Sequence, residues 1–285
     1  MGQLLVDMIH RLGEVYPPDE ARAVARKVLE EGPLGLSPVR VFTGKDEDLS
    51  ISQQMWLRQA VQRLLYGEPV QYVLGKEIFC ELSLKVGPGV LIPRPETQDL
   101  VGWLVSDLKD IPEVHVLDAC TGSGCIAVAL AEKLPQAQIL AVDVSLMALD
   151  YARENAQNYT GRVEVREMDI LCAEVTAEIP DKSLHALVSN PPYVREMERR
   201  SMSPVVLEQE PSLALFVPDE DPLRFYRALG NLGQRVLIPG GALYVEINQQ
   251  LGSETCNLFC NLGFVSVELR KDRYGNDRMV KAVKK

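Results

Sequence analysis

Asn190-Pro191-Pro192-Tyr193 is the stretch of this sequence whose residue types could do chemistry together. It ends the apolar run Leu184–Ser189, which is rich in strand formers and reads as a buried strand. A residue before proline is pushed out of the helical region, so Asn190 and Pro191 should both be extended. Neither proline has a backbone N–H, so the strand end offers acceptors with little to satisfy them locally. The Asn190 side-chain oxygen and the Pro191 carbonyl can then accept both hydrogens of one NH2 group. Tyr193 adds a flat face on which a planar group can pack. The chemistry this suits is capture of a planar, nitrogen-bearing substrate. The other reading is a simple strand-ending turn, because prolines commonly punctuate strands.

Two more stretches carry ligand-type residues where strands should end. Asp118-Ala119-Cys120-Thr121-Gly122-Ser123-Gly124 follows an apolar strand, and its glycines let backbone approach a ligand closely. Asp143 ends the next strand, where an acid can accept both hydroxyls of a ribose. These two features also match the relaxed dinucleotide fingerprint Gly122-x-Gly124-x-x-Ala127 with an acid roughly 20 residues on. A nicotinamide-dependent oxidoreductase is therefore a rival. Against it, no Lys, Tyr or His stands ready as a hydride-transfer acid, and a dehydrogenase has no use for a cradle for an amide nitrogen. A fourth stretch, Leu91-Ile92-Pro93-Arg94-Pro95-Glu96-Thr97, is stiffened by two prolines. Its Arg94 and Glu96 either form a solvated ion pair or line a cleft.

The elements that must position these residues follow from periodicity. Leu4, Leu5, Met8, Ile9 and Leu12 predict a helix within residues 3–15. Tyr16-Pro17-Pro18-Asp19 breaks it, and a second helix should run from Glu20 until Gly32-Pro33 stops it. A short segment lies near Pro38–Phe42, then a polar stretch Gly44–Asp48. Ser50 or Ser52 can cap a third long helix ending at Tyr66-Gly67. Nothing in this helical unit looks catalytic, and its use should be to hold a partner. From Gln71 to Ile92 the period becomes alternating, which fits a β-hairpin linker with Gly87-Pro88-Gly89 as a turn. After Thr97 helices and strands alternate: strands Val114–Ala119, Gln138–Asp143, Val163–Arg166, Leu184–Ser189, Ala242–Ile247, Phe264–Arg270 and Arg278–Val283, with helices between. The last two strands can form a hairpin through Tyr274-Gly275-Asn276-Asp277. Such alternation predicts an α/β fold, a mostly parallel, doubly wound sheet with a C-terminal antiparallel hairpin. The domains expected are 1–69, helical; 70–96, hairpin linker and hinge; and 97–285, α/β.

The 285 residues suffice for a sizeable core, and the net charge of −10 argues against extended contact with nucleic-acid phosphates. Residues 1–85 contribute −2 of this charge and the remainder −8, so no basic domain hides behind an acidic tail. No apolar run approaches a membrane span, and the first residues lack a signal-peptide pattern. A cytoplasmic protein is expected. The six cysteines form no C-x-x-C pair and suit no common zinc site, and no metal is expected. His10, His115 and His185 are scattered, and His115 and His185 read as structural.

Val116–Gly124, Asp143 and Asn190-Pro191-Pro192-Tyr193 together resemble S-adenosylmethionine-dependent amino-group methyltransferases. Over its whole length the chain resembles the PrmC/HemK family, the protein-glutamine methyltransferases of peptide-chain release factors. The likeness includes Gln71-Tyr72 with Gly75 and Phe79, the hinge Leu91–Thr97, Glu210-Pro211 with Ala214-Leu215, and Gly275 with Asp277-Arg278. It implies a class I, Rossmann-like methyltransferase domain behind a helical substrate-recognition domain. It also implies that Cys120, Thr121, Gly122, Ser123 and Gly124 surround the methionine part of the cofactor. By the same resemblance Asp143 binds the ribose, and Asp169 and Ile170 flank the adenine. Asn190 sits beside the methyl group and holds the substrate with Pro191, Pro192 and Tyr193, while Arg94, Glu96 and Thr97 belong to the hinge. The substrate it implies is the glutamine of the Gly-Gly-Gln loop of class I release factors, met by a monomer without membrane or direct nucleic-acid contact. Gln98 departs from the second acid usual after the hinge. Ile170 stands where some relatives carry an aromatic, so adenine packing is expected to be aliphatic. A DNA adenine-N6 methyltransferase is the nearest alternative, since adenine also presents a planar NH2 group.

Overall fold

Helices lead and an α/β alternation follows, in a computed structural model that describes residues 2–44 and 49–285. Residues 45–48 of the expected polar stretch lie outside the described residues. The helices are α1 (Gln3–Leu12), α2 (Pro18–Glu31), α3 (Pro38–Thr43), α4 (Ile51–Leu65) and α5 (Val70–Leu74). α2 starts two residues before the expected Glu20, because proline at the first helical position supplies a ready φ and lacks only an N–H that would be unpaired anyway. Ser50 caps α4 in a reciprocal box with Gln53. Leu5, Leu12, Ala25, Val28 and Leu64 are buried together as this unit's own core. At Gly32 a Cβ would meet the Trp56 ring at 2.5 Å, so Trp56 packs against the end of α2. The alternation expected from Gln71 starts later. Val70–Leu74 is a turn of helix ended by left-handed Gly75.

β1 (Lys76–Phe79) and β2 (Leu82–Lys85) make the expected hairpin. Its turn is Cys80-Glu81, both at positive φ, rather than Gly87-Pro88-Gly89. The remaining elements are α6 (Pro95–Leu108), β3 (Val114–Ala119), α7 (Cys125–Lys133), β4 (Ala137–Asp143), α8 (Leu146–Asn155), β5 (Val163–Glu167), α9 (Ala173–Thr176) and β6 (Leu184–Ser189). Then come β7 (Val194–Arg195), α10 (Pro204–Gln209), β8 (Phe216–Val217), α11 (Arg224–Val236), β9 (Leu237–Glu246), α12 (Gly252–Asn261), β10 (Val265–Lys271) and β11 (Asp277–Val283). The described chain divides into two compact units. One runs through Glu77 and takes in Val86–Pro88 and Ser203–Gln209; the other holds the rest.

In the second unit seven strands lie in the order β10-β11-β9-β6-β3-β4-β5. The five central and edge strands from β9 to β5 are parallel, and β11 runs antiparallel between β9 and β10. α6 and α7 cover one face through Leu100, Leu104, Ile126 and Leu130. α11 and α12 cover the other through Tyr226, Leu229 and Phe259. β9 begins five residues before the expected Ala242. Ile238–Gly241 bulges out of register between Leu237 and Ala242, and a Cβ on Gly241 would press within 3.1 Å of the His185 and Leu184 carbonyls. After β3 the chain winds outward through β4 and β5, then returns to place β6 on the other side of β3. That reversal opens a crevice at the carboxyl ends of β3 and β6, where ligands bind in open α/β sheets.

Candidate active site

Leaving β3, the chain takes three left-handed steps, at Cys120 (φ 58°), Gly122 (φ 57°) and Gly124 (φ 78°). Gly124 begins α7 so close to α8 that a Cβ would stand 3.2 Å from Ala152 Cα. Asp118 holds this loop from beneath. Fully buried, its Oδ2 accepts the Thr121 hydroxyl at 2.6 Å and the Ala127 N–H at 3.1 Å, and burial pushes its carboxyl up to about 7. Asp118 is thus the clamp of the loop and not a surface of the cavity.

Asp143 lies at the end of β4. Its Oδ2 accepts the Gly122 N–H and its Oδ1 the Ser145 N–H, each at 2.9 Å. Each oxygen keeps a further lone pair, so the carboxylate is fixed in orientation and still able to accept. Burial raises its pKa, and the backbone N–H groups of Ser145, Gly122 and Val144 oppose the rise.

The end of β6 is braced by a residue that sequence reasoning missed. Register pairs Ser189 of β6 with Val245 of β9, which sets Asn190 level with Glu246. Glu246 is 1% exposed. Its Oε2 accepts the Thr97 hydroxyl at 2.6 Å and its Oε1 the Tyr193 hydroxyl at 2.8 Å. Thr97 Oγ1 in turn accepts from Asn190 Nδ2 at 3.2 Å. Burial raises the Glu246 pKa against these bonds, and burial beside the Glu246 charge drives the Tyr193 phenol well up. The signal in the sequence was a lone acid at the carboxyl end of an apolar strand.

Arg94 pairs with Glu210 rather than with Glu96. Its Nη2 lies 2.6 Å from Glu210 Oε1, and the other Glu210 oxygen accepts the Ile92 N–H at 3.2 Å. The solvated Arg94–Glu96 pair is therefore not formed, because Pro95 starts α6 and carries Glu96 round its first turn. The Gln98 amide oxygen accepts the Cys80 N–H at 3.4 Å, so this departure serves the hairpin turn.

One cavity brings most of these residues together. Cys120, Thr121, Gly122, Ser123, Asp143, Asp169, Ile170, Asn190, Pro192, Arg94 and Thr97 line it. Gly124, Pro191, Tyr193 and Glu96 do not. Met168, Ala148, Leu213, Ala214 and Phe225, none of them expected as site residues, are among the further residues of its walls. Phe225 is an aromatic side chain of this lining. Among the described residues no group of three or more His, Cys, Asp or Glu is placed to hold a metal, and no helix is long and apolar enough to cross a membrane.

Known proteins resemble the chain at three levels. A family model described as a methyltransferase small domain matches residues 101–209, and one described as the PrmC N-terminal domain matches residues 3–75. Among solved structures, a methyltransferase from Pyrococcus furiosus superposes with a TM-score of 0.51 at 19% identity, over 80% of this chain and 98% of that one, and bears on the fold alone. The release factor glutamine methyltransferase of Flavobacterium psychrophilum is 41% identical over 252 residues, 86% of each chain. That of Bacteroides thetaiotaomicron is 41% identical over 282 residues, 99% of each. With a relative aligned end to end at that identity, the chain belongs to the release factor glutamine methyltransferase family.

Proposed function

We propose that this protein methylates the side-chain amide nitrogen of the Gly-Gly-Gln glutamine in class I release factors, with S-adenosylmethionine as methyl donor. The observation that carries the reading is that Asn190 lines the same cavity as the Gly122 loop and Asp143. The residues present fit that cofactor. A Cβ on Gly122 would find its nearest neighbour, Val90 Cγ2, 3.8 Å away, so the bare backbone there leaves room for a ligand. Cys120–Gly124 would flank the methionine part, and Asp143 would accept the ribose hydroxyls with its remaining lone pairs. Asp169, Ile170 and Phe225 would flank the adenine. When bound, S-adenosylmethionine supplies an electrophilic methyl group on a sulfonium.

An amide nitrogen is a poor nucleophile, because its lone pair is delocalised into the carbonyl. The carboxylates in the cavity lining are Asp143, already fixed by two N–H bonds, and Asp169, whose Oδ1 accepts the Leu171 N–H. Neither is a base able to ionise an amide. The chain's contribution is positioning. The Asn190 side-chain oxygen accepts one amide hydrogen, and Pro192 lines the seat. The Pro191 carbonyl, next to Asn190 but outside the lining, is the acceptor proposed for the other hydrogen, and Tyr193 braces the site through Glu246. Holding a reactant in this way contributes several kcal/mol, on the order of 7 or more in favourable cases.

Residues 1–69 act as the recognition domain in this reading, 70–96 as linker and hinge, and 97–285 as the catalytic domain. Three residues of loop offer little specificity, and the helical unit supplies a second surface for the folded release factor. The net charge supports action without nucleic-acid contact, and six free cysteines support a cytoplasmic setting. Incubation with methyl-labelled S-adenosylmethionine and a release factor, DNA or no acceptor tests the reading. Label should enter the release factor glutamine alone; label in DNA would overturn it.

A further inference from the structure

We infer that Glu246 is a positioning residue that sets which edge of the Asn190 amide faces the substrate. The inference rests on the proposed use of Asn190 as an acceptor. Thr97 Oγ1 has one hydrogen, and at 2.6 Å it is given to Glu246 Oε2. The hydroxyl is then left only with lone pairs, which can take only a donor. The group opposite is the Asn190 amide, so its NH2 must turn to Thr97, as the 3.2 Å contact from Nδ2 records. The Asn190 oxygen is thereby committed to the other edge. An oxygen there attracts an incoming NH2 group; an NH2 there would repel one.

Glu246 suits this task because it can only accept while ionised. Tyr193 donates to its other oxygen at 2.8 Å, so both oxygens are taken by hydroxyls that have no second proton to offer. Thr97 and Glu246 are each 1% exposed, which keeps water from substituting for either partner. Glu246 touches neither cofactor nor substrate and works through Thr97.

Glu246→Gln breaks the logic while keeping the volume. Its amide NH2 can face Thr97, the hydroxyl can then donate to Asn190, and the Asn190 amide is free to turn over. Single-turnover methylation of a release factor at saturating S-adenosylmethionine should fall by about 10- to 100-fold in Glu246→Gln and in Thr97→Val. Cofactor affinity by calorimetry should stay near wild type, and Thr97→Ser, which restores the hydroxyl, should recover most of the rate. The double variant Glu246→Gln with Thr97→Val should lose little more than either single one, since both break the same relay. A purely structural role would instead weaken cofactor binding in parallel and show no rescue by serine. Should Glu246→Gln fail to fold, the Thr97 valine and serine pair still decides the matter. If Asn190→Ala lowers the rate while Glu246→Gln and Thr97→Val match wild type, the relay is wrong and the acceptor role of Asn190 stands. If Asn190→Ala has no effect, both fall together.

Discussion

Arg94 and Glu210 lie 116 residues apart and join the segment before α6 to the turn before Pro211, with Nη2 2.6 Å from Oε1. Glu210 is almost fully buried and Arg94 about a third exposed, so the carboxylate depends on the guanidinium more than the reverse. Arg94→Ala leaves Glu210 with only the Ile92 N–H and should cost about 1–3 kcal/mol of stability, reduced from a fully buried pair by the solvent around Arg94. Glu210→Gln keeps one acceptor oxygen, for Arg94 or for the Ile92 N–H but not for both, and should cost less because it leaves no buried charge unpaired. Urea unfolding of the three proteins measures this order, and an undisturbed midpoint in Arg94→Ala would show the pair to be ornamental.

Asp143 accepts two backbone N–H bonds and is proposed to accept the ribose as well. Asp143→Ala should weaken S-adenosylmethionine binding by ~1–3 kcal/mol, since a charged acceptor is lost and the Gly122 and Ser145 amides are released. Calorimetric titration is the check. Unchanged affinity would remove Asp143 from the site.

Asp118 gives stability a pH dependence with a definite sign. Burial pushes its folded pKa up to about 7, above the ordinary carboxylate value near ~3.9 of the unfolded chain. Between these values the folded state keeps a proton that the unfolded state has released. The group's contribution is full below the unfolded pKa and is lost as pH rises towards 7. Asp118→Asn can still accept from Thr121 and Ala127 but does not titrate. Its Tm relative to wild type should rise from pH 5 to 7 and level off above. Parallel Tm curves for the two proteins would contradict the shift.

Ile51 and Met55 stand one turn apart on α4 and are 78% and 56% exposed. If the helical unit recognises the folded release factor, such apolar side chains are suited to the contact. Ile51→Asp with Met55→Glu should raise KM for intact release factor about tenfold, the loss of one good interface anchor. Activity on a short Gly-Gly-Gln peptide and the Tm should change little. Equal KM values for the intact factor would free this face of α4 from recognition.

Local chemistry was readable from the sequence alone. Apolar periodicity, prolines and glycines marked β3, β4 and β6 and the ligand-type residues at their ends, because each signal lies within a few residues of what it determines. The same locality limited the reading. Gly122, Gly124 and Asp143 fit a nicotinamide site as well as a methyl-donor site, and Arg94 and Glu96 fit an ion pair with each other as well as a cleft lining. Element edges slipped where a local breaker had a tertiary use, as at Gly240-Gly241, where the bulge in β9 fits against the carbonyls of β6. What only the folded chain decided was who meets whom across the sheet. Strand order sets β9 beside β6, and so brings Glu246 to Thr97 across 149 residues and to Tyr193 across 53. Those bonds depend on the register between distant strands and on the placement of α6, and no spacing along the chain encodes either one.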